Sequence, residues 1–146
     1  MFSAPTASSA ARGQLYAGAY RQVAAQTLVA GASPHKLIAL LFDGFVVAAN
    51  QARGAMRESN VQAKGRAIGS AARIIEDGLR SALNMKAGGR IAADLNDLYV
   101  YVGRRLLQAN LRNDESAIEE CLRLIKPLRE AWTAIGPVVD SGAVRN

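Results

Sequence analysis

The chain has 146 residues, half of them hydrophobic but only 5% aromatic, with 18 Lys and Arg against 12 Asp and Glu, a formal charge of +6 and a pI near 10.0. That length suits one domain with a real core rather than two, and abundant alanine without period-2 alternation favours packed helices over a sheet. Cys121 is the single cysteine, so no internal disulfide forms and the cytoplasm is the expected location, while the positive charge keeps nucleic acid and acidic membranes open as partners.

Residues 1–14, rich in Ser, Ala and Thr, read as a mobile tail. They lack a basic region followed by an apolar run, so no secretory signal is expected. Residues 15–26 suit a short helix. A long helix is then predicted from Pro34 to about Glu58, with Ser33 as its N-cap and Pro34 in the first turn, where the missing N–H costs nothing. At about 100° per residue, Leu37, Leu41, Phe45, Ala48 and Ala52 share one face. Ile38, Phe42, Val46 and Ala49 form one shoulder, and Leu40 and Val47 the other. The polar remainder is a narrow stripe of Lys36, Asp43 and Asn50. The apolar arc covers roughly 260°, against the roughly 100° that a helix on a core needs, so this helix has surface to spare.

Ser59 and Asn60 make a turn, and a second helix runs to about Leu83 with Ile68, Ala71, Ile75, Leu79 and Ala82 on one face. Arg66, Arg73 and Arg80, seven apart, form a stripe best read as a solvated outer face. The paired glycines of NMKAGGR predict a loop. A third helix follows from about Ile91 to about Arg112, carrying Ile91, Leu95, Leu98, Val102, Leu106 and Ala109 at 3, 4 spacing. Asn113 or Asp114 caps a fourth, with Ile118, Cys121, Leu122, Ile125, Leu128, Trp132 and Ile135 as its core stripe. Pro127 is expected to kink it, and Gly136 with Pro137 to end it, leaving 137–146 as a tail. Short turns between long helices make antiparallel neighbours. The predicted fold is all-α: an up-and-down four-helix bundle over 15–136 with a short additional N-terminal helix. Even the greasiest run is too short and too interrupted for a membrane span.

Catalytic chemistry has no foothold. Bundle enzymes of the di-metal type need inward carboxylates and Glu-x-x-His pairs, and this chain has one histidine and no such unit. His35 is expected to be a solvated surface histidine and Cys121 a buried small hydrophobe. KAGGR is not a phosphate-binding loop. No cofactor, metal or catalytic residue is assigned, so function must lie in binding.

Tyr20, SPHKLIALLFDG at 33–44, LNDLYVYVGRRLLQANLRND at 95–114 and LREAW at 128–132 together resemble the FliS family of flagellar export chaperones, in order and spacing, from about Tyr20 to Ile135. The sequence departs from the family pattern in carrying Phe42 for a tyrosine, Val100 for a residue that is commonly polar, and Pro127. The resemblance implies a cytoplasmic, non-enzymatic chaperone that binds the disordered C-terminal region of flagellin, prevents premature polymerisation and helps deliver it to a component of the export gate. It implies neither nucleic-acid binding nor membrane insertion. Tyr20 is then expected to cover or shape the apolar binding surface. The partner-binding residues expected on this reading are Tyr20, Ile38, Leu40, Phe42, Val46, Tyr99, Gly103 and Leu107, with the two shoulders of the first long helix unranked. A nucleic-acid module and a bundle that oligomerises through its exposed shoulders are the competing readings.

Overall fold

The computed structural model describes the backbone of residues 33–145 and the side chains of residues 33–136. The tail over 1–14, the short helix over 15–26 and Tyr20 lie outside the described residues. Four long helices in chain order make up the described part: α1 (Pro34–Arg57), α2 (Val61–Arg73, continuing as a π-helical segment Ile74–Arg80), α3 (Met85–Arg112) and α4 (Glu115–Arg145).

Each helix starts where a side chain takes up free N–H groups. Ser33 Oγ accepts from the Lys36 amide at 3.2 Å, with Pro34 in the first turn. Asn60 Oδ1 accepts from Ala63 N at 3.0 Å, Asn84 Oδ1 from Ala87 N at 2.9 Å, and Asp114 Oδ1 from Ser116 N at 3.0 Å. Ser59 and Asn113 turn the chain in left-handed conformations, φ 57° and 51°, which Asn tolerates better than most residues.

Contacts at both ends fix the topology. His35 meets Trp132 and Arg57 meets Glu115, so α1 runs antiparallel to α4. Lys64 reaches Asn110 while Arg80 reaches Asn96, so α2 is antiparallel to α3. Arg105 pairs with Glu120 across the α3–α4 seam, and Gly78 abuts Leu41 across α1–α2. The result is the predicted all-α, up-and-down bundle.

Its core is built in layers by Phe45, Ile75, Val102, Leu106, Ile118, Cys121 and Ile125, all but fully buried, with Ala49, Ala52, Ala71 and Ala109 between them. Alanines let the helices approach closely. Each large side chain contributes about 1.5–3 kcal/mol by leaving water. Burial pushes the Cys121 thiol up to about 12, so it packs as a hydrophobe.

Three boundaries and several assignments differ from the sequence expectation. The second helix is not uniform: it widens into a π-helix at Ile74, where Ile75 and Leu79 stay buried, and Ala82 is exposed past its end. NMKAGGR is not all loop, since Met85 to Gly88 are helical. The break falls at Gly89, φ 53° and ψ −130°, a conformation that side-chain-bearing residues avoid. Ile91, two residues after it, is 73% exposed rather than core. α4 runs on through Pro127 and past Gly136 and Pro137 to Arg145, so the stop expected there is not made. Pro127 is exposed, where the Arg123 carbonyl it leaves without a donor is open to hydration.

Gly136 serves another purpose. His35 is half-buried and stacked on Trp132, ring centroids 4.6 Å apart and planes 7° from parallel, contrary to the expected solvated histidine. The two residues exchange hydrogen bonds: Trp132 Nε1–H donates to the His35 carbonyl at 2.9 Å, and His35 Nε2–H donates to the Trp132 carbonyl at 2.7 Å. A Cβ on residue 136 would stand 2.5 Å from His35 Cε1. This clasp ties the start of α1 to α4.

Candidate partner-binding surface

The surplus apolar arc of α1 resolves by the way the helix is turned. Phe42 (3% exposed) and Ala49 join the core, and Ile38 and Val46 pack half-buried against it, so that shoulder faces inward. Phe42 is therefore a core residue, a correction to its expected place on an open shoulder. α1 has neighbours on two sides, α2 and α4, and Asp43 turns to Arg129 of α4. The Leu40 and Val47 shoulder lies beside α2 and remains outside, with Val47 55% exposed and Leu40 half-buried. Next to it runs a shallow groove of about 320 Å³ between α1 and α2, lined by Gln51, Ala63, Arg66, Ala67 and Ser70.

A second apolar strip lies on the other side of α2. Lys64, itself buried, donates through Nζ to the Asn110 carbonyl at 3.1 Å and to Asn113 Oδ1 at 3.3 Å. Its ammonium thereby caps the C-terminus of α3, where the helix dipole favours positive charge. Gly103 and Leu107 precede Asn110 on that flank of α3. Leu107 is well exposed, and a Cβ on Gly103 would meet nothing within 4 Å. Tyr99, at 3% exposure, is buried instead, a second correction. Burial pushes its phenol up to about 12. It supports the strip from beneath.

Sequence reasoning missed Leu111 (75% exposed) and Val61 (71%), which extend the same strip. Leu111 stood one turn beyond Leu107, a spacing that could have found it. Val61 was hidden by its place in a turn-proximal N1 position, and only the packing of α2 on α3 brings it near.

The charged seams are satisfied within the bundle. Arg53 and Arg57 pair with Glu115, Arg53 also with Glu119, and Arg105 with Glu120, which also accepts from the Tyr101 hydroxyl at 2.7 Å. Hydrogen bonds from Arg57 and then Arg53 hold the Glu115 carboxyl below the usual range, and those from Tyr101 and Arg105 do the same for Glu120. Among the described residues no group of His, Cys, Asp and Glu is placed to hold a metal, and no helix is long and apolar enough to cross a membrane.

A helical bundle with internally paired seams and apolar residues left standing beside one groove and along a neighbouring strip is built as a binding protein. The family profile described as flagellar protein FliS matches residues 16–139. The chain is 49% identical over 119 residues to the flagellar secretion chaperone FliS of Salmonella typhimurium, covering 82% of this chain and 88% of that one. It is 42% identical over 114 residues to FliS of Escherichia coli, covering 78% and 84%, and 41% identical over 116 residues to FliSB of Pseudomonas aeruginosa, covering 80% and 91%. The chain belongs to the FliS family of flagellar secretion chaperones, which is not a family of enzymes.

Proposed function

We propose that this protein is a cytoplasmic chaperone that binds the disordered C-terminal segment of flagellin, keeps it from polymerising prematurely and helps deliver it to a component of the flagellar export gate. The observation that carries this reading, beside the family, is the exposure of Val47, Leu107, Leu111 and Val61 on both sides of α2. A disordered segment gives up about 2–5 kcal/mol of ordering on binding, so its contacts must be spread along an extended surface rather than gathered in one pocket. A shallow groove on one side of α2 and an exposed apolar strip on the other offer that surface. Leu40, Gly103 and Leu107 are its proposed contacts, with Val47 added. Ile38, Val46, Phe42 and Tyr99 support it from within the bundle, and Tyr20 is proposed as a contact from outside the described residues.

The apolar character of the strips also argues against a nucleic-acid module, which would need aromatic or basic residues where Leu107 and Leu111 stand. Co-purification with flagellin, whole and without its C-terminal segment, at low and high salt, tests the reading. The whole protein should be retained and the truncated one lost. Equal retention of both overturns it.

A further inference from the structure

No Asp or Glu occurs between residues 61 and 75, and none between 98 and 113. These two acid-free stretches lie side by side: Lys64 bonds Asn110 and Asn113 at one end, and Arg80 bonds Asn96 past the other. The adjacent arginines of α3 behave differently. Arg105 turns to the α4 seam and pairs with Glu120 at 2.6 Å, whereas Arg104, beside Leu107 and Leu111, is exposed and has no ion-pair partner among the described residues. Arg112, one turn beyond Gln108, is likewise exposed and unpaired among them. The arginines of the bundle seams have their carboxylates at hand; those edging the exposed leucines do not.

A partner that covers Leu107 and Leu111 must bring apolar side chains, because otherwise nothing is gained by burial. It must also meet two guanidinium groups that its approach strips of water. Leaving such charges covered and unpaired is costly, so the covering surface has to supply carboxylates. Leu107 and Leu111 stand one helical turn apart, the spacing that an amphipathic helix matches with residues at i, i+3, i+4 and i+7. Arg104 borders that stripe beside Leu111, and Arg112 follows Leu111 at the stripe's C-terminal end, seven residues on from Arg105 and so toward the α4 flank of α3.

We propose that the part of the cargo seated on this face is an amphipathic helix whose apolar stripe is flanked by Asp or Glu, and that Arg104 and Arg112 select it by charge. This rests on the flagellin-binding reading above and specifies the chemistry of one half of that surface. The α1–α2 groove, across α2, takes the neighbouring part of the same cargo segment.

The test is titration of the full chain with the cognate flagellin C-terminal segment, comparing wild type with Arg104→Glu/Arg112→Glu, Leu111→Ser and Val47→Glu, each checked by thermal melting. The double charge reversal should melt like wild type and bind on the order of tenfold or more weakly, and flagellin with the flanking acids of its amphipathic helix changed to Lys should regain affinity for it. If the double variant melts lower, Arg104→Gln/Arg112→Gln takes its place, with the same loss expected. Undiminished binding by the charge variants while Val47→Glu weakens it leaves the chaperone reading standing and overturns this one. Failure of wild type to bind any flagellin segment overturns both. Random duplex DNA is the remaining arm: binding that the charge variants abolish but Leu111→Ser leaves intact, with flagellin affinity unmoved, would make this a phosphate-binding face and overturn the proposal.

Discussion

At the scale of single residues, Phe42 and Val47 show how one helix divides its grease. Phe42 is in the core and Val47 is in water, five positions apart on the same helix. Phe42→Glu should therefore fail to fold, since loss of a core ring costs about 3–5 kcal/mol before the buried charge is counted, and thermal melting checks it. Val47→Glu should melt as wild type does and lose flagellin affinity in titration. Gly136 gives a second contrast. Alanine ordinarily favours a helix over glycine, yet Gly136→Ala should lower stability by about 1–3 kcal/mol, the usual range for overpacking, because its Cβ would stand against the His35 ring. Trp132 is the one tryptophan of the chain, so its fluorescence reads directly whether the stacked clasp has opened.

At the scale of elements, three glycines of α2 and α3 make a contrast. A Cβ on Gly65 or Gly69 would meet nothing within 4 Å, while Gly89 sits at φ 53°. Gly65→Ala and Gly69→Ala should each stabilise α2 by up to about 1 kcal/mol from helix propensity, and Gly89→Ala should destabilise the start of α3. Differential scanning calorimetry separates the three. A stabilised Gly65→Ala/Gly69→Ala protein that binds flagellin more weakly would mean that the bare crest of α2 lies under the cargo where it passes between the groove and the strip. Two helix starts were legible in the sequence because a cap is a local matter: Ser33 and Asp114 each bond an amide two or three residues on. Asn60 and Asn84 cap in the same way, but the first read as a turn residue and the second was hidden by the glycines that follow it. Helix ends were less so. The π-helical widening at Ile74 and the passage of α4 through Gly136 and Pro137 run against local propensity. Contacts from α1, to Gly78 through Leu41 and to Gly136 through His35, account for both glycines.

At the scale of the whole molecule, acid should loosen the bundle at its seams. Glu115, Glu120 and Asp114 all titrate below their ordinary values in the fold, held there chiefly by hydrogen bonds from Arg57, Tyr101 and Ser116 respectively. A carboxyl with a depressed folded pKa contributes stability that is present above its unfolded value, about 4, and is lost as pH falls through the folded one. The melting temperature should accordingly hold near neutrality and drop as pH is lowered past about 4, and Glu115→Gln should start lower and fall less steeply. All three groups lie at the surface, so added salt should shrink the effect. The sequence alone determined the all-α bundle, the number of its long helices and most of its core, because 3, 4 spacing and short turns depend only on residues near one another in the chain. The family could be read there too, from motifs held in order. The tertiary structure decided which way each helix is turned: that Phe42 and Tyr99 go inward, that Leu40 and Val47 lie outward beside α2, that Leu111 and Val61 continue the strip begun at Leu107, and that His35 is clasped rather than solvated. An arc of roughly 260° on α1 can satisfy two neighbours in several rotations, and only the neighbours' own side chains, Leu41 against Gly78, Asp43 with Arg129 and His35 on Trp132, select one.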